Sequence, residues 1–189
     1  MKKVLLSLSL ALPSLAFAHA PDGAGSGFFT GFLHPILGLD HLIVTVAVGL
    51  WGAFLSDGAL WILPILFPTI TAVGAAIGIF GLEVPLIGFV IALSGVVLGA
   101  LIALRFKVQL SVAMILVGIF ALFHGYAHGT EMPGHISAST YGAGFVIGTG
   151  LLHLAGNAIG FATRPPRGEL NVRNCGGVIL VIGLTHLVG

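Results

Sequence analysis

The sequence predicts an all-α, polytopic membrane protein: a six-helix transmembrane bundle that follows a cleaved signal peptide. Three observations carry this. Of the 189 residues, 57% are hydrophobic and only 7% are charged, whereas a soluble domain carries about 25% charged residues. Six apolar runs, near 33–55, 59–81, 84–105, 108–127, 139–163 and 175–189, are separated by short polar breaks. The chain also holds 29 glycines, which suits helices that pack closely in lipid.

Residues 1–18 read as a secretory signal. Lys2 and Lys3 form its basic end, Val4 to Leu12 its apolar core, and Ala16-Phe17-Ala18 a small-x-small cleavage site. The rival reading is an uncleaved anchor, for which the apolar core is short against the roughly 20 residues of a span. Residues 19–189 then form a single transmembrane domain. Each of the first five runs is long enough to cross a core of about 30 Å at 1.5 Å per residue. The sixth is short.

Cleavage after Ala18 leaves the new N-terminus outside. Counting spans then places Arg105 and Lys107, and also Arg164, Arg167 and Arg173, on the inner side. Every Lys and Arg of the mature chain falls there, as the positive-inside rule requires. This predicts a bacterial inner membrane protein with both mature termini in the periplasm. Three spans before residue 106 and three after it suit an inverted pair.

The chemistry lies at the ends of the apolar runs. Span one opens His34-Pro35-Ile36-Leu37-Gly38-Leu39-Asp40-His41. Pro35 suits the first position of a helix, with His34 as its cap. On a continuous helix His34 and His41 lie within about 20° of one face. Asp40 serves either as a direct ligand or as the partner that orients His41 Nδ1. Span four ends Phe123-His124-Gly125-Tyr126-Ala127-His128-Gly129-Thr130-Glu131. The spacing of His124 and His128 presents both rings on one helical face, and Glu131 follows if the helix reaches it.

Ionisable groups in lipid are costly without a partner or a task. The predicted metal-ligating set is therefore His34, Asp40, His41, His124, His128 and Glu131. A secondary path is predicted through His19, Phe67, Glu83, His135, His153, Asn157 and His186. Lone histidines such as His153 and His186 also suit plain interhelical hydrogen bonding. His135 reads as a loop residue, and Pro64 and Pro68 around Phe67 as a kink. Cys175 is the single cysteine, a packing residue without an internal partner.

Imidazole and carboxylate suit Ni²⁺, Co²⁺ and Zn²⁺, whereas Mg²⁺ prefers oxygen and retained water. The motifs hold neither thiolate nor methionine, which disfavours a Cu(I) path. Near-neutral charge implies no nucleic-acid partner, and the absence of a Gly-x4-Gly-Lys-Ser/Thr loop implies no ATP binding by this chain. No separate head is expected to carry an enzyme activity.

These motifs resemble the HupE/UreJ family of bacterial membrane proteins. His34, Pro35, Gly38, Asp40 and His41 match its first signature. Phe123, His124, Gly125, Ala127, His128, Gly129 and Glu131 match its second. The resemblance runs from the signal peptide through span six. It implies a permease for Ni²⁺, or in some members Co²⁺, serving hydrogenase or urease maturation. The cation is then cargo, with no permanently bound cofactor. Two other readings stay open: a Co²⁺ permease, and a membrane protein that binds metal or haem without transporting it. The oligomeric state is not readable from sequence.

Overall fold

The computed structural model describes residues 24–162 and 168–188, with backbone alone at 24–26 and 169. The predicted signal peptide, His19, Arg164 and Arg167 lie outside the described residues. Every regular element among the described residues is an α-helix: α1 (Ala24–Leu37), α2 (Leu39–Leu55), α3 (Asp57–Ile79), α4 (Ile87–Ala103), α5 (Leu110–Glu131), α6 (Ala138–Ala162) and α7 (Glu169–Val188). By length and composition four of these can cross a membrane, or five when α1 and α2 count as one bent span.

The first apolar run is broken into two helices, which corrects the expectation of a continuous helix. Gly38 takes an extended conformation (φ −78°, ψ 107°), and α1 and α2 meet at 78°. Pro35 therefore sits inside α1, near its C-terminal end, and His34 is no N-cap. A proline at 35 cannot donate to the Gly31 carbonyl, so the last turn of α1 is already weakened when the chain reaches Gly38. Asp40 falls in the first turn of α2, where its charge offsets the helix dipole.

The other helices lie close to the predicted apolar runs, with two differences. Span three shortens to the 17 residues of α4. It stops because Arg105 adopts φ +53°, while Phe106 N donates to Leu101 O and Arg105 N to Ile102 O. This closing turn satisfies carbonyls that the helix leaves open. Span six begins earlier than predicted, at Glu169. Between α2 and α3 the chain turns at Ser56, whose Oγ accepts from Ala59 N at 3.1 Å.

Helix α2 is the centre of the bundle. Val44, Ala47, Val48, Leu50 and Trp51 are buried, together with Leu63 of α3, Leu98 and Ile102 of α4, and Val117 of α5. Large apolar side chains such as Trp61, Ile65, Phe80 and Ile115 face outward, as a lipid-solvated surface allows.

Helix association in lipid depends on close packing, because tails are as apolar as leucine. The glycines supply it. A Cβ on Gly74 of α3 would run into the Leu122 carbonyl, and one on Gly125 of α5 into the Thr71 carbonyl. Likewise Gly49 of α2 meets the His153 carbonyl and Gly156 of α6 the Val46 carbonyl. The strongest pairings are α3 with α5, α4 with α7, and α6 with both halves of the bent span. Exchanging spans one to three with four to six maps these pairings onto themselves.

Candidate metal centre

The break at Gly38 brings the two sequence motifs together. His34 ends α1, His41 begins α2, and His124 and His128 occupy one face of α5. Ring centroids lie 6.1 Å apart for His34 and His41, 4.7 Å for His34 and His128, 4.3 Å for His41 and His128, and 5.1 Å for His41 and His124. Four imidazoles from three helices thus form one cluster. Gly38 leaves room beside it: a Cβ there would press on His41 Nδ1 at 3.2 Å and Asp40 Oδ1 at 3.4 Å.

The two carboxylates take different positions. Asp40 Oδ1 accepts from His41 Nδ1 at 2.9 Å, so it orients the ring and leaves Nε2 as the buried, unpartnered nitrogen. Helix α5 does extend to Glu131, whose Oε2 lies 3.5 Å from His34 Nε2 at the exposed rim. Potential ligand atoms of His34, His128 and Glu131 all lie within 4.8 Å of one another.

The hydrogen-bond pattern fixes which nitrogens are available. His124 Nδ1 lies 2.8 Å from the Phe120 carbonyl. A carbonyl only accepts, so Nδ1 carries the proton and Nε2 of the neutral ring keeps its lone pair. The same logic holds for His41 against the Asp40 carboxylate. His41 Nε2, His124 Nε2 and His128 Nδ1 are buried and have no hydrogen-bond partner among the described residues. Buried polar atoms are ordinarily paired. Three such nitrogens on rings packed centroid to centroid at 4.3–5.1 Å have the chemistry of an imidazole ligand set. Phe145 packs on His128 at 4.4 Å and Phe67 on His124 at 5.8 Å, forming apolar walls.

The other expected positions are spread out. His186 is exposed; with Asp40, His41 and Glu131 it lines a cavity of about 310 Å³ between α4, α5 and α7. Its Nδ1 bonds back to Ile182 O in its own helix. Glu83 and His135 are exposed in the connections after α3 and α5. Phe67, His153 and Asn157 are buried, with Phe67 between His124 and His153 at 5.8 and 5.3 Å. Sequence reasoning missed Thr71, Tyr141, Phe145 and Thr149. Tyr141, Phe145 and Thr149 precede His153 at steps of four residues, a spacing visible in the sequence.

Fold and site define a class: a multi-pass helical membrane protein that encloses an imidazole cluster with carboxylates at its edge. The chain belongs to the HupE/UreJ family. The profile described as HupE / UreJ protein matches residues 6–186. Protein HupE of Rhizobium leguminosarum bv. viciae is 41% identical over 181 residues, covering 96% of this chain and 94% of that one. No solved structure matches. The family consists of membrane accessory and transport proteins, not enzymes.

Proposed function

We propose that the chain is a permease for divalent transition-metal cations, with Ni²⁺ as the principal cargo, supplying hydrogenase or urease metallocentre assembly. The observation that carries this is the packed cluster of His34, His41, His124 and His128, in which His41 Nε2, His124 Nε2 and His128 Nδ1 are buried and unpartnered among the described residues and His34, His128 and Glu131 hold ligand atoms within 4.8 Å of one another. A hydrated cation enters from the periplasm through the cavity lined by Glu131, Asp40 and His186. It sheds water onto the imidazoles, while Asp40 and Glu131 offset its charge. Release demands that binding stay moderate. An inward-negative potential favours entry by about 2.3 kcal/mol per charge per 100 mV.

In this reading the bundle is six spans after a cleaved signal peptide, the broken first span counting as one. The mature termini lie in the periplasm and the chain in the inner membrane. Co²⁺ is the alternative cargo, because imidazole and carboxylate do not separate it strongly from Ni²⁺. Uptake of ⁶³Ni²⁺ into cells expressing the chain, with Co²⁺ and Zn²⁺ as competitors and His41→Ala as control, tests the proposal. Saturable uptake that disappears in the variant supports it. Uptake no greater than in empty-vector cells, with the protein present in the membrane, rejects it.

A further inference from the structure

Helix α6 carries a buried file of side chains, one per helical turn: Tyr141, Phe145, Thr149, His153 and Asn157. Steps of four residues wind it about 40° per rung around the helix, and the file covers about 24 Å of rise. All five residues are buried, His153 and Thr149 completely. Four of them hold a buried polar atom with no partner among the described residues: Tyr141 OH, Thr149 Oγ1, His153 Nε2 and Asn157 Oδ1. Such atoms are normally paired, so four along one helix, the last three on successive turns, demand an explanation.

The orientation of the lower rungs is built in. His153 Nδ1 lies 2.9 Å from the Thr45 carbonyl of α2, so Nδ1 carries the proton and Nε2 presents a lone pair. Pro64 has no N–H to donate to the Leu60 carbonyl one turn back. Asn157 Nδ2 donates there instead, at 3.4 Å, which leaves Oδ1 as the free end. Two oxygens and one nitrogen, all electron donors, therefore stand one turn apart. The upper rungs adjoin the imidazole cluster: Tyr141 lies 5.9 Å from His34 and Phe145 4.4 Å from His128. The Phe67 ring of α3 stands between His124 and His153.

We propose that His153, flanked one turn to either side by Thr149 and Asn157, forms a second, inner position for the divalent cation, separated from the outer imidazole cluster by the Phe67 ring. This rests on the transport reading and deepens it. Cargo passes from His124 Nε2 around Phe67 to His153 Nε2, with the Thr149 hydroxyl and the Asn157 carbonyl as flanking oxygens. One imidazole among oxygens binds a borderline cation more weakly than the outer cluster does. The order strong outer, weak inner favours release toward the far end of the bundle.

Two variants test the inner position without disturbing the outer one. His153→Asn retains an N–H that can donate to Thr45 O and removes the Nε2 lone pair. Thr149→Val removes a hydroxyl that has no partner, at constant shape, so the fold should be unharmed. Ni²⁺ uptake is expected to fall about tenfold in each, as when a hydrogen-bond-strength contact to a charge is lost. Ni²⁺ binding by the purified variants, measured calorimetrically, should keep the affinity of the outer cluster. Wild-type uptake in His153→Asn overturns the inner position and leaves the transport reading standing. If that variant does not reach the membrane, wild-type uptake in Thr149→Val has the same force. Loss of outer-cluster binding in both variants also overturns it, by assigning the file a structural role. No uptake by the wild-type chain overturns the transport reading and the inner position with it.

Discussion

Asp40→Asn separates an orienting carboxylate from a ligand. Asp40 Oδ1 accepts from His41 Nδ1 at 2.9 Å, and asparagine can still offer an oxygen in the same place. What it loses is the charge. A hydrogen bond to a charged group contributes about 1.5–3 kcal/mol against about 1 kcal/mol for a neutral one. The difference, about 0.5–2 kcal/mol, corresponds to about 2- to 30-fold in affinity at about 1.4 kcal/mol per tenfold. Partners of metal-bound histidines typically change affinity by about 10–100-fold. We therefore expect Ni²⁺ affinity about tenfold weaker, read by titration calorimetry on detergent-purified protein. Stability should drop only slightly. Asp40 lies in the first turn of α2 behind an N-cap, Gly38, that has no capping side chain, and such a charge contributes about 0.3–1 kcal/mol. Unchanged affinity would refute the orienting role. A loss beyond about a thousandfold, more than an orienting partner accounts for, would make Asp40 a direct ligand.

Other perturbations address the rim, the packing and a cap. Glu131→Gln removes the carboxylate beside His34, and ⁶³Ni²⁺ uptake at low external metal should fall more than uptake at saturating metal. Gly125→Leu drives a side chain into the Thr71 carbonyl of α3; overpacking costs about 1–3 kcal/mol or more, seen as a lower melting temperature in detergent together with lost Ni²⁺ binding. Ser56→Ala deletes the bond to Ala59 N and should cost about 1 kcal/mol, lowering the melting temperature while Ni²⁺ affinity stays at the wild-type value.

The two histidine-bearing motifs were legible because each group is costly in lipid and each spacing has a geometric meaning. His124 and His128 do share a face, and α5 does reach Glu131. The break at Gly38 was not legible. Pro35 fits a helix start as well as a helix end, and the observed helix α1 continues through it while packing on α6 at Gly31 and Gly144. The consequence is large, since His34 meets His41 through a 78° bend and not along one helical face. The file on α6 was half legible: His153 and Asn157 stand out in an apolar run. Thr149 does not, because a threonine in a membrane helix ordinarily bonds back to its own backbone. Thr45 does so, through His41 O at 2.8 Å. Glu83 and His135 show the opposite limit: their chemistry was suitable, but loop geometry holds both at the exposed surface.

X-ray absorption at the nickel edge of the purified, Ni²⁺-loaded chain tests most directly whether the imidazole cluster holds the cation. The account predicts nitrogen and oxygen ligands without sulfur, a multiple-scattering signature of several imidazoles, and a loss of imidazole scattering in His124→Ala. An unchanged spectrum in that variant, or a wild-type chain that retains no nickel, would contradict it.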